Sequence, residues 1–235
     1  LEENIEIFGD ELIYFINDEK IILNKDVKID FEEKLLFNTK KVVYDKRKKQ
    51  IIVDNFSTFK DYFGNKISSK KSKFLLNEKL LKINSVEMTD QLKNKYYFQN
   101  AIINFKNNEM IGDDIKIDFS KTSFGNLEND PRLRGNYLYS DSNQSQIKKG
   151  VFTTCKKRED SCPPWQFKAQ EIKHDKSKKT IYYKNAWLEI YDKPIIYFPR
   201  FFHPDPTVKR QSGFLMPSFE SSSSLGDSLS IPYFK

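Results

Sequence analysis

The histidines and cysteines are the side chains of this 235-residue chain with the most versatile chemistry. His174 and His203 are 29 residues apart, and neither lies beside a nucleophile motif. The chain has no G-x-S-x-G, Walker or H-E-x-x-H sequence, which are common local patterns of hydrolases, nucleotide-binding proteins and zinc proteases. The sequence therefore predicts that the chain is not an enzyme and uses no cofactor.

The two cysteines favour a different chemistry. Cys155 and Cys162 lie close together in a stretch rich in Lys, Arg, Asp, Ser and Pro. Their spacing is not the C-x-x-C of a zinc site, so a metal site is a poor interpretation. A disulfide is the better one, and it would indicate an oxidising compartment.

Composition limits the class of protein. The net charge of +7 suits nucleic acid, anionic lipid or an acidic ligand, although lysines that only solvate a sheet would give the same balance. The lysines alternate with apolar residues and do not gather around aromatic platforms, which argues against single-strand nucleic-acid binding. An aromatic content of 14% argues against disorder. No apolar run approaches the roughly 18 residues of a membrane-spanning helix.

Alternation of apolar and polar residues marks several segments as strands. The clearest are two near copies at 26–31 and 114–119, in which every second residue is Val, Ile or Phe. Period two indicates one buried and one wet face. A second similar pair, at 44–55 and 174–185, places an Asp- and Lys-containing turn between two β-prone runs. Strand–turn units at a spacing of roughly 20 residues predict an all-β, stacked architecture.

We predict three regions along the chain. Residues 1–193 form a β domain with an irregular segment at about 120–150, where glycine, proline, Asn and Ser favour a long connection. Residues 194–210 form a semi-rigid tether, because several prolines there fix φ and restrict the preceding residue. Residues 211–235 contain two further short strands.

The last two strands, at 214–220 and 228–234, have an unusual character. Apolar-out, polar-in alternation with a short turn is the weak signature of outer-membrane barrel strands. Two strands cannot close a barrel, and an open edge in lipid is not viable, so these would be the first strands of a truncated barrel. Pro217 and Pro232 fall inside these runs, although a proline has no N–H to give to a β ladder. They mark either a deliberate weakness or only strand starts and bulges.

The apolar face of the β repeats is the candidate binding site. In a closed sheet these side chains would be plain core. In a two-layered sheet open along one side they would face a long apolar ligand, and basic residues at the rim would suit a phosphorylated head group. The candidate groove residues are Val27, Ile29, Phe31, Ile51, Val53, Ile115, Ile117 and Phe119.

Short motifs in the C-terminal third carry a family resemblance. They are Val-Phe-Thr-Thr-Cys at 151–155, Pro-Trp-Gln-Phe-Lys-Ala at 164–169, His174-Asp175, Tyr-Phe-Pro-Arg-Phe at 197–201, Lys-Arg-Gln-Ser-Gly-Phe-Leu-Met-Pro at 209–217 and Ile-Pro-Tyr-Phe at 231–234. Together they resemble the LptD family of outer-membrane lipopolysaccharide-assembly proteins, also called organic solvent tolerance proteins. The His-Pro-Asp-Pro-Thr sequence at 203–207 looks most like alphaproteobacterial members. Over 1–125 the resemblance is weaker, to the OstA-type β-jellyroll shared with the periplasmic bridge protein LptA.

The resemblance implies transport without chemical transformation. A jellyroll of this family receives the acyl chains of lipopolysaccharide in an apolar groove, from an LptA-type bridge that extends by strand addition. It passes them to a barrel plugged by an LptE-type lipoprotein. The chain would then lie in the cell outer membrane with its N-terminal domain in the periplasm, and nucleic acid would not be a partner. The alternative is a soluble periplasmic bridge or scaffold module of the LptA type.

The resemblance also implies roles for single residues. Pro217 and Pro232 match prolines that weaken the first two barrel strands, so that the wall opens sideways as a lateral gate. Cys155 matches a cysteine that, in well-known members, bonds to the far end of the barrel. Cys162 departs from that pattern and allows a local Cys155–Cys162 disulfide.

Overall fold

The chain is built from antiparallel strands. The computed structural model describes residues 5–31, 35–61, 64–121, 127, 129–157, 163–204, 208, 213–214, 218–222, 226–230 and 232–234. These residues form 20 strands and no α-helix, so the prediction of an all-β fold is confirmed. The described residues include no helix that is long and apolar enough to cross a membrane. The chain divides into two compact units, Leu1–Asp114 and Ile115–Lys235, which are described separately.

The N-terminal unit is a meander of long strands, several of them interrupted. Its strands are β1 (Ile5–Phe8), β2 (Glu11–Phe15), β3 (Lys20–Phe31), β4 (Leu35–Asp45), β5 (Gln50–Val53), β6 (Ser57–Asp61), β7 (Lys66–Ser69), β8 (Lys71–Leu75), β9 (Leu80–Thr89), β10 (Lys95–Asn104) and β11 (Glu109–Asp118), whose end belongs to the second unit. β1 and β2 both pair with β3, β5 and β6 both pair with β4, and β7 and β8 both pair with β9. In each case the two short strands therefore pair with successive parts of one longer strand.

The interruptions divide the N-terminal sheet into two halves. The pairing of β3 with β4 shifts register between Asn24 and Val27, and Ser85 within β9 has a φ of 50°. We call half A the strands β2, β5 and β8 with the parts of β3, β4 and β9 that pair with them. Half B consists of β1, β6 and β7 with the remaining parts of those long strands. Bulges strengthen twist and bend strands, so this line of irregularities allows one half to fold over the other.

The turns at the outer end of half A repeat a single design. Each ends on a residue with positive φ: Glu19 (51°), Lys49 (46°), Lys79 (53°) and Asn108 (54°). Backbone hydrogen bonds of 3.0 Å join neighbouring turns, from Lys46 N–H to Glu19 O, Leu76 N–H to Lys49 O and Phe105 N–H to Lys79 O. The turns recur every 29 or 30 residues, so the predicted interval of roughly 20 was too short. The reason is that β3, β4 and β9 have 10 to 12 residues, about twice the typical length.

The opposite ends of two hairpins are closed by identical side-chain clamps. Asp61 accepts hydrogen bonds from the backbone N–H and the side-chain amide of Asn65, both at 2.7 Å. Asp90 binds Asn94 in the same way, with both distances 2.8 Å. In each turn the carboxylate satisfies donors that the β ladder does not reach. The Asp-x-x-x-Asn spacing is a turn signal that our sequence analysis missed.

The C-terminal unit contains five long strands. They are β12 (Arg132–Ser140), β13 (Gln144–Thr153), β14 (Trp165–Asp175), β15 (Thr180–Ile190) and β16 (Lys193–Pro204), paired in chain order and antiparallel. Its core is a chain of aromatic rings that includes Trp165, Phe167 and Phe201, with Phe167 and Phe201 stacked at 5.3 Å.

Two segments expected to be irregular are largely regular. Most of 120–150 lies in β12 and β13, because Gly135 serves close packing: a β-carbon there would overlap Ile147 on the neighbouring strand. Most of the predicted tether at 194–210 is β16, the last strand in the pairing order of this sheet. An edge strand has backbone groups without ladder partners, so it tolerates prolines.

The last strands form two antiparallel pairs. β17 (Gly213–Phe214) pairs with β20 (Tyr233–Phe234), and β18 (Ser218–Ser222) pairs with β19 (Gly226–Ser230). The two β runs predicted here are thus present in their described parts. Their assignment to a barrel, and the domain boundaries at 193 and 210, stay predictions.

Candidate functional site

An apolar groove lies between the two halves of the N-terminal unit. The space between its walls is about 380 Å³, a volume that includes open solvent at the mouth. Half A contributes Ile51, Val53, Ser72, Phe74 and Leu81, and half B contributes Ile29, Phe31, Leu35 and Phe37. The groove therefore exists because the line of irregularities bends the sheet, so that the inner face of half A lies opposite the inner face of half B.

Aromatic rings join the two halves at the groove. Phe31 meets Phe74 edge to face with centroids 4.4 Å apart, and Phe105 completes the cluster 5.4 Å from Phe31. On half B, Phe37 and Phe59 form a second edge-to-face pair at 4.3 Å. These geometries are the favourable ones for aromatic pairs. The cluster fixes the separation of the halves where Phe31 and Phe74 touch.

One lining residue is polar. Ser72 is buried, and its hydroxyl has no hydrogen-bond partner among the described residues. By contrast, the buried hydroxyls of Ser57 and Ser69 are 3.1 Å apart and hydrogen-bond each other. An unsatisfied buried hydroxyl costs free energy. Ser72 is therefore the point on the groove wall that could satisfy a polar group of a ligand.

The sequence predicted part of this groove. Four of the candidates, Ile29, Phe31, Ile51 and Val53, are among the lining residues, whereas Val27 is wholly buried in the same face of β3 without reaching the lining. That any of them binds lipid stays a prediction. The prediction missed Leu35, Phe37, Phe74 and Leu81, although their alternation along β4, β8 and β9 carried the same period-two signal.

The other three candidates lie in the second unit. Ile115 and Ile117 are buried at the end of β11, and Phe119 is half-buried with its ring 6.4 Å from that of Phe152. Whether these three residues bind the same ligand stays a prediction.

The lysines that we expected at the rim of the groove lie on the outward face of the sheet. Lys28, Lys73 and Lys82 alternate with groove residues and are exposed, so period two places them on the outward face. The lining residues that the structure describes include no charged side chain. This part of the groove therefore suits an apolar chain.

Cys155 is buried, has no disulfide partner among the described residues, and is held by several hydrogen bonds. Its N–H donates to Thr153 Oγ1 at 3.1 Å, and its thiol lies 3.8 Å from the carbonyl of Trp165. The guanidinium of Arg132 donates to the Cys155 carbonyl. Cys162 lies outside the described residues, so the proposed disulfide stays a prediction.

An ionic network fastens the segment after Cys155. Lys157 Nζ donates to Asp118 Oδ2 at 2.8 Å, and Arg134 Nη2 donates to Asp118 Oδ1 at 2.7 Å. The Lys157 N–H also donates to Asp130 at 2.9 Å. Partial burial raises the pKa of Asp118, but hydrogen bonds from Lys157 and Arg134 outweigh it and hold that pKa below its usual value. Both carboxylates thus stay ionised at neutral pH and tie 155–157 to β11 and β12.

Pro232, one of the two predicted gate prolines, lies where the pairing of the last strands changes register. The described pairs run from Ser222↔Gly226 to Ser218↔Ser230 and resume, one residue out of register, at Phe214↔Tyr233. Pro232 is exposed and outside the strands, between β19 and β20. Pro217 lies outside the described residues.

The outer edge of the N-terminal sheet is apolar and exposed. β2 is an edge strand in which all five residues are exposed, and Ile16 follows it at 74% exposure. The apolar side chains exposed on this edge are Phe8, Leu12, Ile13, Tyr14, Phe15 and Ile16. An apolar edge strand with free backbone groups is a template for another strand.

Fold and groove define a class: an antiparallel β domain whose sheet closes over an apolar groove. The chain is similar to the LPS-assembly protein LptD of Pseudomonas fluorescens (strain Pf-5), with 34% identity over 133 residues, which are 53% of this chain and 14% of that protein. It is also 36% identical over 104 residues to LptD of Pseudomonas aeruginosa (strain UCBPP-PA14), covering 43% of this chain and 11% of the relative. Against LptD of Francisella tularensis subsp. novicida (strain U112) it is 37% identical over 70 residues, 30% of this chain and 8% of the relative.

These comparisons confirm the resemblance to LptD, over about half of this chain. The matched part spans only 14% of the length of the Pseudomonas fluorescens relative. Among solved structures, the LptA-homologous periplasmic protein LptH of Pseudomonas aeruginosa aligns with a TM-score of 0.37 and 8% identity, over 43% of this chain and 75% of LptH. No protein-family profile matches the chain.

Proposed function

We propose that this chain carries lipopolysaccharide to the outer membrane without transforming it chemically. The observation that carries the proposal is an apolar groove between two sheet halves, in a chain similar to LptD. Acyl chains would enter the groove while the sugar and phosphate groups stay in solvent. The chain would act in the cell outer membrane, with its N-terminal unit in the periplasm.

The physical driving force is burial of acyl methylenes. Each buried CH₂ contributes about 0.8 kcal/mol, so ten of them contribute roughly 8 kcal/mol before the costs of ordering the lipid. This gain suits transport, since a conduit must hold its cargo and then release it. The nearly uniform apolar lining allows an acyl chain to slide without breaking hydrogen bonds.

The partner in the periplasm would be an LptA-type bridge protein that adds a strand to the sheet. Support comes from the exposed edge at β1 and β2, where Leu12, Tyr14 and Ile16 are available to a docking strand. Main-chain hydrogen bonds would supply affinity, and the apolar side chains would supply specificity.

Release into the membrane would use a lateral gate at Pro217 and Pro232. The one-residue shift of register between the pairs Ser218↔Ser230 and Phe214↔Tyr233 supports this part of the proposal. Each proline removes a donor from the ladder, which lowers the stability of pairing by roughly 0.5–1.5 kcal/mol. A plug lipoprotein of the LptE type belongs to the same proposal.

Site-specific photo-crosslinking in cells tests the proposed cargo. A crosslinker at Ile29, in the groove lining, should label lipopolysaccharide, and one at Lys28, on the outward face of the same strand, should not. Ile117 and Lys116 form the matching pair in β11 and test whether the second unit contacts the same lipid. Equal labelling at Ile29 and Lys28 would contradict the groove assignment.

A further inference from the structure

The outward face of strands β13 to β16 combines cations and aromatic rings in ordered rows. Directly paired residues of an antiparallel sheet share one face, so the register defines the rows. The first is Gln146, Lys173, Tyr182 and Phe202, the second Lys148, Glu171, Lys184 and Arg200, and the third Val151, Lys168, Trp187 and Tyr197. We call these twelve residues the outer face. None of them is buried, whereas Ile147, Ile172, Tyr183 and Phe201 between the first two rows are.

The middle row places like charges opposite each other. Lys184 and Arg200 are direct cross-strand partners, and both are exposed. Like charges in this position destabilise a sheet. Glu171 lies on the other side of Lys184, but it also forms an ion pair with Lys148. Arg200 has no ion pair among the described residues. Glu171 is thus shared between Lys148 and Lys184, and an anion bound from outside would offset the remaining positive charge.

Exposed aromatic pairs flank the cations on both sides. Trp187 and Tyr197 have ring centroids 4.9 Å apart, and Tyr182 and Phe202 have centroids 6.0 Å apart. These four side chains are 36% to 48% exposed. Trp187 lies three residues from Lys184 along β15, which corresponds to about 10 Å. Rings on either side of a cation row can enter an apolar layer while the cations stay at its charged surface.

We propose that the outer face binds the head-group layer of an anionic phospholipid bilayer. Tyr and Trp have an apolar body and a polar tip, and Lys and Arg place charges beyond long apolar stems, which is the composition of membrane–water interfaces. The face is a continuous sheet surface, which matches a planar partner. This proposal goes beyond lipid transport and does not involve the groove.

Vesicle flotation with the full chain tests the charge contribution. The chain should float with phosphatidylcholine vesicles that contain phosphatidylglycerol, and much less with phosphatidylcholine alone. The double variant Lys184→Gln/Arg200→Gln should bind roughly 25-fold more weakly, because each cation near an anionic surface contributes about fivefold. The control Lys40→Gln/Lys60→Gln removes the same charge from two exposed lysines of the first unit and should change binding little. Matching circular dichroism and melting curves would establish that both variants fold.

Tryptophan fluorescence tests the orientation. The chain has two tryptophans, of which Trp165 is 1% exposed and Trp187 is 41% exposed. Anionic vesicles should shift the emission of Trp187 to the blue and protect it from acrylamide. Trp187→Phe should abolish this shift while the chain still floats.

Three results would overturn the proposal. One is equal flotation of Lys184→Gln/Arg200→Gln and its control. Another is flotation without any change in Trp187 emission, which would place the contact elsewhere. The third is a concentration-dependent blue shift without vesicles, because it would identify a second copy of the chain as the occupant. None of these results depends on lipopolysaccharide, so failure here is separable from failure of the transport proposal.

Discussion

Phe31 of half B and Phe74 of half A meet edge to face, with ring centroids 4.4 Å apart and planes inclined at 77°. The two residues belong to strands that do not pair with each other. Their contact therefore closes the sheet over the groove through side chains alone. Lipid entry at this point requires the two rings to separate or to line the path of the acyl chain.

Phe74→Ala should destabilise the chain by about 3–5 kcal/mol, since it leaves a cavity between the halves. The matched control is Phe56→Ala, because Phe56 is 62% exposed and should change the free energy of unfolding by less than about 0.5 kcal/mol. Urea unfolding measures both. Similar losses for the two variants would mean that Phe74 does not hold the halves together.

Ser72→Ala should leave the free energy of unfolding unchanged or raise it by about 1 kcal/mol, because it removes a buried hydroxyl without a partner. Ser57→Ala should instead lower it by about 1–3 kcal/mol, since it strands the Ser69 hydroxyl. The same urea experiment compares them. If Ser72→Ala were as destabilising as Ser57→Ala, the Ser72 hydroxyl must have a partner in solution.

Asp118→Asn should loosen the segment that follows Cys155. The change removes a charge that binds both Lys157 and Arg134, and solvent screening limits the loss to about 1 kcal/mol. In a Cys162→Ser background, the Cys155 thiol should react several-fold faster with a disulfide reagent. The control is Asp54→Asn, whose carboxylate is 72% exposed and lies 3.9 Å from Lys71. An unchanged rate in Asp118→Asn would show that the network does not protect the thiol.

Acid should loosen the segment after Cys155, because it protonates the carboxylates of Asp118 and Asp130. Partial burial raises the pKa of Asp118, while hydrogen bonds from Lys157 and Arg134 lower it further than burial raises it. The backbone N–H of Lys157 is the main cause that lowers the pKa of Asp130. A lowered folded-state pKa stabilises the fold above the unfolded pKa of about 3.9, and this contribution is lost as pH falls through the folded value.

The expected acid effect is a greater accessibility of Cys155 below about pH 4. A pyridyl disulfide, which reacts in acid, can measure it. The ratio of rates between Asp118→Asn and the parent should approach one as pH falls. A ratio that stays constant from about pH 6 until the pH has passed below the lowered pKa of Asp118 would contradict a role for the Asp118 charge.

Replacing Pro232 with alanine should strengthen the last hairpin and slow lipid release. Pro232 lies between β19 and β20, so alanine supplies a backbone donor where the register shifts. The expected gain is roughly 0.5–1.5 kcal/mol in pairing. The measurement is the rate at which lipopolysaccharide reaches the cell surface in cells that carry the full-length protein. Pro194→Ala, in edge strand β16, is the control. Equal rates in the parent and Pro232→Ala would remove the gating role.

Period-two alternation was sufficient to predict the all-β class, and it placed four of the eight groove candidates on the faces that line the groove. Ile29, Phe31, Ile51 and Val53 were identified because a strand must bury every second residue. The fold of the sheet on itself was not predictable in this way. It depends on bulges such as that between Asn24 and Val27, which the sequence does not mark.

Glycine and proline misled the sequence analysis in the second unit. Gly135 was interpreted as a loop signal, although it lies in β12 to admit the Ile147 side chain. Pro199 was assigned to a tether and lies in β16. Glycine occurs in turns and also where two strands pack closely. Proline occurs in linkers and also in edge strands. Only the neighbouring strand determines which use applies.

The stacked turns set the size of the groove in steps. Each turn binds its neighbour through one backbone hydrogen bond, and the next turn follows 29 or 30 residues later. Insertion of a single residue would shift every following side chain to the other face. A duplicated repeat would keep the pattern and add two strands, or about 10 Å of width. The width of such a domain should therefore change in evolution by whole repeats. A domain with more repeats would keep the same apolar lining.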